Sequence, residues 1–235
     1  MENECVLEAE GLVRTFRGTE GTIDVLRGCD LRVHRGEVVA IIGASGVGKS
    51  TLLHILGSLD QPDAGTVRVN GRELLSLRER EMNRLRNQVI GFIFQFHYLL
   101  PDFTAIENVM MPSLVGGRSP EWANDNAAKY LDVVGLSGRL QHKPSELSGG
   151  EQQRVAVARA FANDPEIILA DEPTGNLDDT ASRRLNDLIL DLSEREKKSF
   201  VVVTHKKDFS HFAGRVLLLE AGQLKQYTES DADPL

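Results

Sequence analysis

The sequence predicts an α/β fold built on a buried parallel sheet, with an antiparallel β subdomain at the front and an α-helical subdomain inserted between core strands. Three observations carry this. The runs Val38–Ile42, Ile167–Ala170 and Phe200–Val203 are short, apolar and rich in branched side chains, the pattern of strands covered on both faces. The first seventy residues instead hold weakly alternating stretches separated by turn residues. From Phe96 to about Ala162 the texture changes to helical patterns broken by Pro101, Pro112, Gly116-Gly117 and Pro120.

In chain order, Val6–Phe16 and Val25–Val33 read as strands joined by a turn at Gly18–Gly21. After Val38–Ile42 a helix is expected with Leu52, Leu53, Leu56 and Leu59 on one face. Thr66–Val69 is a half-buried strand closed by Asn70-Gly71. Ser76 and Glu79 read as a capping box opening a polar helix to about Asn87, and Val89–Gln95 as the next strand. Ser119-Pro120 starts a helix that turns Trp122, Ala127, Tyr130, Leu131 and Val134 inward and stops at Gly135. Another helix follows Ser148. Thr180–Ser193 is amphipathic through Leu185, Leu188, Ile189 and Leu192; Val216–Leu219 and Leu224–Tyr227 form a closing hairpin, and 230–235 a polar tail. The chain thus divides into a core, 1–95 and 163–235, and a helical subdomain, 96–162.

The first buried strand runs into Gly43-Ala44-Ser45-Gly46-Val47-Gly48-Lys49-Ser50-Thr51, which fits the phosphate-loop pattern. Its glycines let successive N–H groups turn inward as a cradle for phosphate oxygens. Lys49 adds a point charge, Ser50 offers a hydroxyl to Mg²⁺, and the following helix contributes its positive end. Nucleoside triphosphate binding follows. Asp171 and Glu172 end the strand at Ile167–Ala170, where ligand sites of α/β folds lie. Taken alone they are two solvated acids. Behind a phosphate loop, Asp171 suits Mg²⁺ and Glu172 suits a base for the attacking water. In Leu147-Ser-Gly-Gly-Glu-Gln-Gln-Arg154, Ser148 and Glu151 form a capping box, while Gly149 and Gly150 leave the first N–H groups of a helix open. This is an ordinary cap, a second anion site on the same chain, or half of a site shared between two copies.

Composition narrows the classes. A chain of 235 residues with 41% hydrophobic and 26% charged residues is an ordinary globular protein. A net charge of −8 argues against nucleic-acid binding. No apolar run reaches the ~20 residues of a membrane span. The acidic start, Met1-Glu-Asn-Glu-Cys5, is unlike a secretory signal. Cys5 and Cys29 fit no metal spacing and read as free thiols of a reducing compartment.

Taken together and in this order, the phosphate loop, Leu147–Arg154 and Ile167-Ile-Leu-Ala-Asp-Glu-Pro173 resemble the ATP-binding-cassette (ABC) ATPases over roughly Leu7–Leu224. The resemblance implies a P-loop NTPase (RecA-like) core and a head-to-tail homodimer around two ATP molecules. Each ATP would lie between one subunit's phosphate loop and the other's Ser148-Gly149-Gly150. It also implies that Phe16 stacks on adenine, although a core phenylalanine reads equally well there. Gln95 would sense Mg²⁺ and the attacking water, Asp178 would cross the dimer interface, and His205 would contact the γ-phosphate, although a lone histidine after a strand is more often structural. Mg²⁺ would be held by Ser50, Gln95 and Asp171. Lys206 stands where relatives usually carry aspartate.

The stretch Gln95–Val109, with His142–Glu146 and Gly175–Asp178, is most similar to the branch of the family that powers lipoprotein release; the macrolide-exporter and cell-division branches share much of it. That implies integral membrane transporter subunits as partners, which handle the lipoprotein cargo, and a place on the cytoplasmic face of the inner membrane, held there through those subunits. A non-transport ABC ATPase is the reading from another class, disfavoured by a single cassette without an inserted module. Phe96, Tyr98, Leu99, Leu100 and Phe103 crowd apolar side chains after Gln95, and Tyr98 or Leu99 is the expected docking contact for a partner helix.

Overall fold

The computed structural model describes residues 4–18, 21–205 and 213–227. Lys206, the polar tail and the middle of the Gly18–Gly21 turn lie outside them. The front of the chain is a long antiparallel hairpin, β1 (Cys5–Gly18) and β2 (Gly21–His34), paired from Cys5↔His34 to Gly18↔Gly21. Strand β4 (Ala64–Val69) pairs with the other edge of β1, and β5 (Arg72–Glu73) completes a sheet ordered β2-β1-β4-β5. The second sheet has the order β10-β9-β3-β8-β7-β6. In it β3 (Val38–Ile42), β6 (Ile90–Ile93), β7 (Ile167–Asp171), β8 (Ser199–Thr204) and β9 (Arg215–Glu220) run parallel, and β10 (Gln223–Gln226) is antiparallel at the edge.

Two cores lie on the two faces of the parallel sheet, and strand alternation divides them. Along β8, Val201 and Val203 pack with Leu7, Leu12 and the helix α1 (Lys49–Leu56) on one side. Phe200 and Val202 face Leu131, Phe161, Leu185 and Ile189 on the other. This double burial is why these strands read as unbroken apolar runs. The second core is roofed by α3 (Ala105–Val115), α4 (Pro120–Val133), α5 (Gly149–Ala160) and α6 (Asp179–Glu196). Helices α3, α4 and α5 fall between β6 and β7.

Some local expectations are corrected. Helix α1 ends at Leu56, with Leu59 exposed beyond it, because Gly57 takes the C-cap and Ser58 the left-handed region at φ 58°. Ser76 caps nothing: its hydroxyl donates to Glu73 O (2.8 Å), and α2 (Glu79–Val89) opens at Arg78, whose N–H donates to Glu81. The strand expected over Val89–Gln95 is shorter, because α2 runs on through Val89. Trp122 is half exposed under the Arg118 guanidinium instead of inward. Helix α3 runs through Pro112, which was read as a break. Thr104 and Glu107 cap it reciprocally, and the Asn108 amide binds Leu100, Phe103 and Thr104 backbone groups. Three turns anchored at the N-terminal end outweigh the one hydrogen bond a proline removes.

Candidate functional site

The phosphate loop leaves the C-terminal end of β3, in the middle of the parallel sheet. A Cβ on Gly43 would sit 2.6 Å from Leu219 O, and one on Gly48, at φ 111°, would collide with Val25. Only glycine lets the loop pass between β9 and the front hairpin. Helix α1 starts at Lys49 with no side-chain cap and no acid in its first turn, so its N–H groups and positive end face the loop. Lys49 is buried; its Nζ donates to Gly43 O (2.9 Å) and Ala44 O (3.0 Å) and lies 3.8 Å from Glu172 Oε1.

Two strands over, β7 delivers Asp171 and Glu172 to the same edge. The Ser50 hydroxyl donates to Asp171 Oδ1 at 3.0 Å. Burial pushes the Asp171 carboxyl above its ordinary value, and the Ser50 bond opposes that shift. Ser50 and Asp171 are an all-oxygen pair within reach of each other, the donor set that suits a small hard cation. Glu172 sits in the left-handed region at φ 44°, strain that a side chain of this kind carries only where its place is over-determined. Its Oε2 accepts from the Thr204 hydroxyl (3.0 Å) and its Oε1 from His205 Nδ1 (2.9 Å), both at the end of β8.

Gln95 follows β6. Its side-chain amide donates to Asn176 Oδ1 (3.4 Å), Asn176 Nδ2 donates back to Gln95 O (2.9 Å), and Gly175 N donates to Glu172 O (2.9 Å). A Cβ on Gly175 would sit 3.0 Å from Gln95 Nε2. Lys49, Ser50, Asp171, Glu172, His205 and Gln95 thus form one connected cluster.

The remaining expected residues stand apart from it. Ser148 caps α5: Glu151 N donates to its hydroxyl, and its own N–H and hydroxyl donate to Glu151 Oε2 (2.9 and 2.8 Å). Those two bonds, then Arg139, hold the Glu151 carboxyl down to about 2. Ser148 and Gly149 are exposed, and a Cβ on Gly149 would meet nothing within 4 Å. Asp178 caps α6 by accepting from Ala181 N (2.8 Å). Phe16 is 41% exposed, so it is no core residue. It pairs across the hairpin with Ile23, two residues before Val25, which abuts Gly48.

Sequence reasoning passed over Thr204 and Gln153. Thr204 precedes His205 at a strand end, which was a usable signal. Gln153 is buried on α5, and its Nε2 donates to Phe94 O (3.2 Å) and Pro173 O (2.8 Å), the backbones beside Gln95 and Glu172. A glutamine inside a motif quoted for its glycines carried no mark of this role.

A phosphate loop at the end of a central parallel strand, with a carboxylate pair delivered beside it, defines a phosphate-loop nucleoside triphosphatase. Residues 26–175 match the family model described as "ABC transporter". The chain is 47% identical over 221 residues to the lipoprotein-releasing system ATP-binding protein LolD of Bacteroides thetaiotaomicron, covering 94% of this chain and 100% of that one. It is 50% identical to LolD of Xylella fastidiosa, covering 96% and 94%. Among solved structures it superposes on the dimeric bacterial ABC transporter cassette MJ0796 with a TM-score of 0.87 and 39% identity, covering 94% of this chain and 97% of that one. It superposes on the post-hydrolysis dimer of the same cassette, bound to ADP and Pi, at 0.86 and 38%, with the same coverage. The chain belongs to the ABC transporter family and is its ATP-hydrolysing cassette.

Proposed function

We propose that this chain is the ATPase subunit of a complex that releases lipoproteins from the inner membrane. The observation that carries the reading is near-full-length identity of 47 to 50% with LolD proteins. In this reading Gly43–Thr51 hold the triphosphate of ATP. Ser50 and Asp171, with Gln95, would hold Mg²⁺, which neutralises charge on the phosphate oxygens. Glu172 takes a proton from water as the water oxygen bonds to the γ-phosphorus; the bond to the bridging oxygen breaks and ADP leaves. Thr204 and His205 aim the carboxylate, and His205 then turns to the γ-phosphate.

The exposed Ser148–Gly150 helix start completes the site of a second copy, so that two ATP molecules lie in a homodimer. Asp178 lies at that interface and Phe16 stacks on adenine. Residues 96–162 act as a helical subdomain beside the core of 1–95 and 163–235. Coupling to the membrane uses a cavity of about 560 Å³ whose walls include Leu59, Phe92, Phe94, Tyr98, Met111 and Val115. Tyr98 is 66% exposed, whereas Leu99 packs against the second core, which favours Tyr98 over Leu99 as the docking contact. The Arg159 guanidinium, on α5, donates to His97 O and Tyr98 O (both 2.7 Å) and so ties this rim to the helix that begins at Ser148. No helix among the described residues is long and apolar enough to cross a membrane. In this reading, integral membrane subunits of the LolC/LolE kind hold the chain at the cytoplasmic face and handle the cargo.

Purification from membranes in mild detergent, followed by reconstitution, tests the whole. LolC/LolE-like subunits should accompany the chain, and ATP should drive lipoprotein out of the vesicles. Co-purification with exporter or cell-division membrane proteins instead would overturn the assignment.

A further inference from the structure

We infer that Arg14 is a positioning residue for the base of the nucleotide, acting through Phe16; this rests on the reading of Phe16 as the adenine platform. Arg14 and Phe16 are two apart on β1, and although the pairing with β2 shifts register between Arg14 and Thr15 their side chains meet on one face. The Arg14 guanidinium lies over the Phe16 ring, 4.9 Å from its centroid. One face of the ring is covered by this cation, and the ring remains 41% exposed for a second partner.

The guanidinium does not rest there loosely. Its NH2 donates to Asp60 Oδ1 (2.9 Å) and its NH1 to Asp63 Oδ1 (3.2 Å), and the side chain is only 21% exposed. Asp63 Oδ2 also accepts from Thr15 N (2.6 Å), and Asp63 N donates to Val13 O (2.8 Å). The Nε of Arg14 is buried and, among the described residues, has no hydrogen-bond partner. A planar guanidinium used on one edge by two carboxylates and laid on an aromatic face keeps that geometry even with its Nε–H unbonded.

The carboxylates come from the loop that ends α1. Leu59 N and Asp60 N both donate to His54 O (2.8 and 3.3 Å), so the loop is bound to the last turn of that helix. The first turn of α1 carries Lys49 and Ser50. The chain of contacts therefore runs from the phosphate-binding helix through Asp60 and Asp63 to Arg14, and from Arg14 to the ring. It sets the spacing between base platform and phosphate cradle. The same cation draws on the π cloud from one side, which favours an electron-rich purine stacked on the other.

The test is steady-state ATPase kinetics of the full chain, with inorganic tripolyphosphate as a competitor that has no base. Arg14→Ala should raise the KM for ATP roughly three- to tenfold, the worth of one cation–π contact. It should leave kcat within about twofold and the Ki of tripolyphosphate unchanged. Arg14→Lys, which keeps the charge but not the planar fork between Asp60 and Asp63, should recover only part of the loss. Should Arg14→Ala not fold, the pair Asp60→Asn/Asp63→Asn, which loosens the guanidinium without removing it, carries the same comparison. If Phe16→Ala raises the KM and the Arg14 variants do not, the platform stands and the role of Arg14 is overturned. If Phe16→Ala also leaves the KM alone, the platform reading itself fails. An equal loss of tripolyphosphate binding would reduce Arg14 to a brace for the loop and overturn the proposal.

Discussion

The cluster at the end of the parallel sheet and the start of α5 are the two places proposed to meet phosphate, and they are finished to different degrees. Around Lys49, Asp171 and Glu172 the groups are largely buried, hydrogen-bonded to one another and drawn from β3, β7 and β8. At Ser148–Gly150 the hydroxyl is bonded only within the cap, the capping glutamate is held by Ser148 and Arg139, and Ser148 and Gly149 face solvent while Gly150 is half-buried. A buried charged cluster must be completed by its own chain, since an unpaired buried ion is costly. An exposed helix N-terminus carries no such demand and can wait for a ligand brought by another molecule. The difference fits the proposed division of labour, in which the buried cluster is the catalytic half and the exposed helix start reads the nucleotide of a second copy.

The largest effect that would sharpen this comparison is at Glu172. Glu172→Gln keeps the shape and removes the base, so turnover should fall roughly 10²–10⁴-fold. With Mg-ATP, sedimentation should show a persistent dimer; a variant that stays monomeric at high concentration would detach α5 from the nucleotide.

Next in size, Lys49→Ala should weaken ATP binding by roughly 10- to 100-fold, the range of a charged hydrogen bond. His205→Ala should leave binding within about threefold and cut turnover at least about tenfold, because its contact is with Glu172. Nucleotide titration beside phosphate release checks both. Equal losses of affinity would make His205 a purely structural residue.

At the docking rim, Tyr98→Ser should remove most of the binding to membrane subunits in a pull-down and spare the turnover of the isolated chain. Leu99→Ser should instead lower the melting temperature, since Leu99 packs on the second core. The reverse pattern would move the partner's seat elsewhere.

The smallest effects concern the cap of α5. Ser148→Ala should cost about 1 kcal/mol, or roughly 2–4 °C in Tm for a chain of this size. Glu151→Gln reports on pH. Its carboxyl is held at about 2, against an ordinary value of 4.5. A depressed carboxylate stabilises the fold above its unfolded pKa, and that contribution is lost as pH falls from about 4.5 toward about 2. The urea midpoints of parent and variant should therefore differ at pH 7 and converge on acidification. A gap that persists at low pH would mean that the glutamate acts by packing and not by charge.

Much of the architecture was legible because its physics is local. Buried parallel strands announce themselves as apolar runs, and a phosphate loop needs glycines and a lysine at set spacing. A capping box needs a serine and a glutamate three apart. Where the reading missed, competing local signals were close in strength. Pro112 looked like a break, yet Thr104, Glu107 and Asn108 anchor α3 well enough to carry it. Ser76–Glu79 and Arg78–Glu81 offer rival helix starts two residues apart, and the 3₁₀ turn over Leu74–Ser76 decided between them.

By itself the sequence determined the chemistry of each segment: which loop cradles phosphate, which strand ends in carboxylates, which helix opens on glycines. Only the tertiary structure decided which groups meet. Asp171 finds Ser50 across 121 positions, Glu172 finds Thr204 and His205, and the Gln153 amide joins the backbones at Phe94 and Pro173. The reason is geometric. Spacing along a strand or helix follows from a few backbone angles, while contact between distant segments depends on strand order, and β3, β8 and β7 stand side by side only because the whole sheet and both its cores are in place.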